Sequence, residues 1–189
     1  MNKNLPISTY GMKILRKVAK PVLNIDLNII ELINNMFYTM KNANGIGLAA
    51  TQVNVNYSIA IVDISPIEKY KDFKSIAMIN PRLIGKDGKT EIEEGCLSIP
   101  EIRAKIIRPE KIFLKYYDLD MKEIELEADE MLARVIQHEI DHLKGILFTD
   151  YLSDEEKERI KSKLNDIKKG NISTDYPLAL DISKNIKQD

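Results

Sequence analysis

The chain has 189 residues, 44% of them apolar, which suits one domain with or without a tail and supplies enough apolar surface for a sizeable core. A formal net charge of −1 argues against broad electrostatic attraction to nucleic acid or to an anionic membrane. The single cysteine, Cys96, excludes an intrachain disulfide and fits a reducing compartment.

Residues 1–8 read as a short arm with no apolar stretch of the secretory kind. No apolar run anywhere approaches the roughly 20 residues of a membrane span, so the expectation is a cytoplasmic protein with no membrane partner and no specific nucleic-acid sequence to bind. Residues 10–19 are mixed, and Pro21 closes them. Ile29, Ile30, Ile33, Phe37 and Met40 repeat at three and four, which predicts a long helix over 26–43, ended by Asn44-Gly45. The next stretch, Gly45 to Val53, matches the dinucleotide fingerprint G-x-G-x-x-A only superficially. That fingerprint follows a strand and opens a helix, whereas this stretch follows a helix and leads into a strand. It reads instead as a glycine-rich segment where backbone or ligand approaches closely. It ends in Gln52, whose neutral amide can donate to an oxyanion; taken alone, Gln52 is a polar side chain hydrogen-bonded within a loop.

Residues 57–63 predict a strand by β-branched content and partial alternation. A loop led by Pro66 follows over 65–73, then a short strand over 75–79, stopped by Pro81. Lys86-Asp87-Gly88-Lys89 is a turn signal. Residues 90–94 lead into Glu94-Gly95-Cys96-Leu97-Ser98-Ile99-Pro100, and strands are expected at about 104–108, 111–117 and 122–127. A helix over about 129–143 comes next, free of Gly and Pro and stopped near Gly145. Ser153-Asp154-Glu155-Glu156 is a capping box that starts a last helix, running to about Ile167 with Lys168-Lys169-Gly170 as its basic stop. Strands followed by a late helix point to an antiparallel-rich α+β fold with a C-terminal helix. Residues 1–170 form one domain in this reading. Residues 171–189 are polar and unpatterned apart from Tyr176-Pro177-Leu178-Ala179-Leu180, and are expected to be a loosely held tail without an assigned role.

The helix over 129–143 carries H-E-x-x-H. His138 and His142 fall one turn apart on one face and can grip one metal ion, and Glu139 then lies beside it, placed to take a proton from water. The plain alternative is a buried amphipathic helix that happens to hold two histidines, but these are the only two in the chain. A catalytic divalent metal takes three protein ligands and leaves one position open. Cys96 is the obvious third donor. A lone cysteine more often behaves as a small buried hydrophobe, and an acidic third ligand such as Glu93 or Glu94 stays open on spacing alone.

Three stretches together resemble the peptide deformylase family. They are Gly45-Ile46-Gly47-Leu48-Ala49-Ala50-Thr51-Gln52, Glu94-Gly95-Cys96-Leu97-Ser98, and Gln137-His138-Glu139-Ile140-Asp141-His142, in the family's order and spacing. The likeness runs roughly from Thr9 to Leu164 and is greatest to the bacterial form whose body ends in a helix. The tail after Gly170 is longer than that form has. The resemblance implies an α+β fold of antiparallel-rich sheets packed around a central metal-binding helix, in one catalytic domain over residues 1–170, and removal of the formyl group from N-formylmethionine on new polypeptides. It implies a metal held by Cys96, His138 and His142, physiologically Fe(II), with Zn(II) or Ni(II) able to substitute. Glu139 would be the general base, and the Gln52 amide and the Leu97 N–H would receive the oxyanion. The peptide would pair with backbone near Gly45, Ile46, Gly47 and Gly95. Leu97, Met131, Arg134 and Val135 would wall a methionine pocket, and Arg103 would touch substrate further along. Asp141 would support the site from behind. Transient ribosome association follows from a nascent-chain substrate. The competing readings are a zinc peptidase, for which a third histidine or glutamate ligand would be usual, and a structural metal module, which needs a fourth protein ligand.

Overall fold

The structure is a computed structural model, described here over residues 2–179. In chain order the elements are β1 (Ile7–Ser8), α1 (Leu27–Asn42), β2 (Gly47–Ala49), β3 (Ile59–Val62), β4 (Ile76–Asp87), β5 (Thr90–Cys96), β6 (Ile99–Arg108), β7 (Lys111–Tyr117), β8 (Glu123–Asp129), α2 (Glu130–Leu143), α3 (Asp154–Lys169) and β9 (Leu178–Ala179). A five-stranded antiparallel sheet has the order β2-β3-β4-β7-β8. β5 and β6 make a separate antiparallel hairpin, and β1 pairs in parallel with β9. No helix among the described residues is long and apolar enough to cross a membrane.

At β3 the large sheet is covered on both faces. Ala60 and Val62 of β3 pack with Ala133, Ile136 and Ile140 of α2, while Ile59 and Ile61 pack with Ile33, Met36 and Met40 of α1. That is why β3 is a continuous apolar run rather than an alternating one. A third cluster joins Leu164 and Ile167 of α3 to Ile99, Ile102 and Ile106 of β6. The α+β expectation holds, with α2 central. Side-chain caps set the starts of α1 and α3. Asp26 accepts from Ile29 N–H at the start of α1. The capping box of α3 forms as read, with Ser153 Oγ accepting from Glu156 N–H and the Glu156 carboxylate from Ser153 N–H, and Gly170 ends the helix at φ +79°.

Three expectations need correction. Pro81 does not stop β4, which runs on to Asp87. Pairing with β7 skips between Ile79 and Arg82, so the proline, lacking an N–H, sits in a bulge. Asn80 makes the bulge possible by taking φ +51° and tying its side chain to the Val22 backbone. Second, the glycine-rich segment does not merely lead into a strand but contains one: Gly47–Ala49 is an edge strand, paired through Gly47↔Val62 to Ala49↔Ala60. Third, the segment after Gly170 is not loose as far as Ala179. β9 pairs with β1, and Ile7 N–H donates to Pro177 O at 2.8 Å. The rest of the expected tail, 180–189, lies outside the described residues.

Candidate active site

Cys96 is the last residue of β5, and α2 brings His138 and His142 up to it. The three donor atoms lie within 4.8 Å of one another, and Cys96 Sγ is 3.1 Å from His142 Nε2. His138 turns its Nδ1 to Glu94 Oε2 at 2.9 Å, so its Nε2 is the nitrogen left for an ion. A thiol and two imidazoles converging at this spacing fit one divalent metal with a position to spare. No fourth His, Cys, Asp or Glu joins the group among the described residues, so a structural four-ligand site lacks its last donor.

Neither glutamate left open by spacing serves as the third ligand here. Glu93 is exposed, 3.9 Å from Arg103. Glu94 is buried, and its two oxygens are taken by Arg108 (2.6 and 3.0 Å), Arg134 (2.8 Å) and His138. Burial opposes charge on Glu94, but hydrogen bonds from His138 and Arg108 outweigh it and bring its pKa to about 2. Arg108 also donates to Asp141 at 2.5 Å, which accepts from Tyr151 OH at 2.8 Å. Asp141 is thus tied to the end of β6 through Arg108, a partner 33 residues away. Burial likewise opposes charge on His138, and hydrogen bonds to Cys96 and Glu94 outweigh it and raise its pKa well above the ordinary value. His142 moves the opposite way, through burial and then the charge of His138.

Glu139 is 3% exposed, and its Oε2 has no hydrogen-bond partner among the described residues. Burial pushes its carboxyl up to about 7. Room for it comes from Gly47, where a Cβ would run into Glu139 Oε1 and lie 2.7 Å from Val135 Cγ1. Gln52 is held by its own carbonyl, which accepts from Ala49 N–H at 2.8 Å. Its amide nitrogen is thereby aimed at Ser98 Oγ (3.2 Å) and Cys96 Sγ (3.5 Å).

These groups open into a cavity of about 590 Å³. Gly45, Ile46 and Gly47 line one side of it, and Gly95, Leu97 and Arg103 also border it. Met131 and Val135 reach it from α2. Arg134 borders it too, but not as an apolar wall: its guanidinium is buried against Glu94, Ile106 O and Thr90 O. Sequence reasoning missed the supporting roles of Glu94, Arg108 and Tyr151, and the approach of residues 173–176 to the cavity. The one usable signal was Glu94 itself, two residues before the cysteine.

A helix-borne H-E-x-x-H, a cysteine third donor and a buried, unpaired carboxyl define a mononuclear metallohydrolase. The family model "Polypeptide deformylase" matches residues 4–158. The chain is 46% identical over 175 residues to the peptide deformylase of Chlorobium phaeovibrioides, covering 93% of this chain and 92% of that one. The peptide deformylase of Chlorobaculum tepidum is 45% identical over 180 residues, with 95% and 96% covered. Among solved structures, a peptide deformylase from Legionella pneumophila superposes with a TM-score of 0.80 at 37% identity, covering 90% of this chain and 97% of that chain. One from Acinetobacter baumannii, crystallised with Met-Ala-Ser bound, gives 0.76 at 34% identity over 80% of this chain and all of that one. The chain belongs to the polypeptide deformylase family, and it is an enzyme that deformylates peptides.

Proposed function

We propose that the chain removes the formyl group from the N-terminal formylmethionine of newly made polypeptides, releasing formate and a free amine. The observation that carries this reading is the convergence of Cys96, His138 and His142 beside a buried Glu139 carboxyl and an oriented Gln52 amide. Cys96, His138 and His142 would hold the metal, which would lower the pKa of bound water from about 15.7 toward 7. Glu139 takes the proton as the water oxygen bonds to the formyl carbon, and later passes it to the amine as the C–N bond breaks. The Gln52 amide and the Leu97 N–H receive the negative charge that develops on the formyl oxygen. The bond from Ala49 N–H holds the Gln52 amide beside Cys96 before substrate arrives. Gln52→Ala is expected to cost about 10²–10³ in kcat with metal content unchanged; a loss below fivefold would remove it from the oxyanion site.

The substrate is read as an extended strand. β2 is an edge of its sheet and β5 has one unpaired side in its hairpin, and residues of both line the cavity. A peptide entering there can pair with backbone near Ile46 and Gly95. Leu97, Met131 and Val135 supply apolar surface for the methionine side chain, with only the stem of Arg134 available beside them. Arg103 is exposed at the rim, in reach of residues further along the peptide.

Fe(II) is the proposed metal, with Zn(II) or Ni(II) as substitutes, and the cytoplasm the proposed location. A thiolate with two imidazoles suits any of the three ions. The basic end of α3, including Lys161, Lys163, Lys168 and Lys169, is the proposed contact for transient ribosome association. Neutralising those four lysines without changing ribosome binding would count against it. The deciding assay is formate release from formyl-Met-Ala-Ser, by protein loaded anaerobically with Fe(II) and compared with zinc- and nickel-loaded samples. Turnover supports the reading. No formate from protein shown to hold metal would end it.

A further inference from the structure

We propose that Tyr176 is a positioning residue for this reaction: through its hydroxyl it fixes the Leu97 main chain at the mouth of the site. The proposal rests on the Leu97 N–H being an oxyanion donor. Leu97 and Ser98 are the two-residue turn of the β5–β6 hairpin, since the last paired residues are Cys96 and Ile99. A hairpin tip has few ladder bonds to hold it, so the orientation of its peptides depends on what touches it from outside. Ser98 is held twice, by Tyr10 N–H on its carbonyl at 2.9 Å and by the Gln52 amide on its hydroxyl at 3.2 Å. Leu97 lays its side chain over Gly45, where a Cβ would lie 2.8 Å from Leu97 Cδ1. Its carbonyl accepts from Tyr176 OH at 2.9 Å, across 79 residues of chain.

The tyrosine is itself well anchored. Asn171 N–H donates to Asp166 O just past the end of α3, and Ile172 packs against the third core cluster. Thr174 Oγ donates to Tyr176 O at 2.6 Å. One residue further on, Pro177 O accepts from Ile7 N–H, and β9 locks onto β1. Residues 173–176 therefore form a strap between α3 and the amino-terminal arm, and they line the same cavity as Glu139. The Tyr176 hydroxyl is pushed up to about 12 by burial and by the nearby Cys96, so it stays a donor across the working pH range.

A donor used only when charge develops should affect kcat and kcat/KM alike, and small misplacements of reacting groups are costly. Tyr176→Phe removes one oxygen and keeps the ring. In the metal-loaded full chain with formyl-Met-Ala-Ser, it is expected to lower kcat and kcat/KM together by about 5- to 30-fold. KM should stay within about twofold, with metal content and melting temperature close to those of the unaltered enzyme. A kcat within twofold of the unaltered enzyme would overturn the proposal. A rise in KM alone would reduce the strap to a binding wall, and loss of metal or a collapsed melting temperature would make Tyr176 merely structural; either also overturns it. Failure of the unaltered enzyme to release formate would instead overturn the reading of the reaction on which this rests.

Discussion

Glu139→Ala is expected to lower kcat for formate release by about 10²–10⁴-fold while metal content stays the same. The carboxyl is 3% exposed, and one of its oxygens has no partner among the described residues. In a purely structural role, such a group would be an uncompensated polar atom. Burial raises its pKa to about 7, which suits a group that must both accept and return a proton near neutral pH. The same features make a stability prediction of opposite sign. Removing a buried, unpaired carboxyl should leave the melting temperature unchanged or raise it. Activity and stability therefore separate in one variant. Retained turnover within tenfold of the unaltered enzyme would take Glu139 out of the chemistry, whereas a large fall in melting temperature would show that it is bonded in a way the structure lacks.

Glu94→Ala is expected to damage both stability and the metal site. Glu94 is the shared acceptor for Arg108, Arg134 and His138, and the two guanidiniums are buried at 4% and 3% exposure. Deleting the carboxylate leaves two buried cations with Asp141 as the nearby counter-charge. Breaking a buried pair from one side costs about 3–5 kcal/mol, a fall of roughly 6–20 °C in a domain of this size. The His138 ring also loses the acceptor that orients it, and metal affinity should drop about 10–100-fold. Glu94→Gln keeps an acceptor and should be milder on both counts. The pH dependence has a definite sign. The folded carboxyl lies near 2, below the ordinary value of 4.5. Its contribution is present above about pH 4.5 and is lost as pH falls from there toward 2. Thermal melts from pH 7 to 3 would show the unaltered protein losing stability faster than Glu94→Gln over that window. Parallel curves would mean that the Glu94 carboxylate does not carry the acid sensitivity.

α2 and α3 show how much of this protein is written locally. Helical spacing of apolar residues, the absence of Gly and Pro, and the Ser153 box depend on contacts three or four residues apart, and those helices sit where the spacing predicted them. β7 covers the expected 111–117, a run of apolar and aromatic residues bounded by Pro109 and Asp118. The pairing of His138 with His142 and Glu139 is equally local, since one helical turn produces it. Cys96 could be nominated from sequence because the chain holds one thiol and one pair of histidines. Tertiary structure decided the rest. That Glu94 and Cys96 face the histidines while Glu93 faces solvent depended on the register of β5 against β6, which a one-residue slip would invert. The continuation of β4 past Pro81 required a partner strand able to accept a bulge. Arg108 bridging Glu94 and Asp141, and Tyr176 reaching Leu97, join residues 14, 33 and 79 positions apart. Such contacts leave no periodic trace in sequence, because their energy comes from burial and hydrogen bonding that exist only once the sheets and helices have packed.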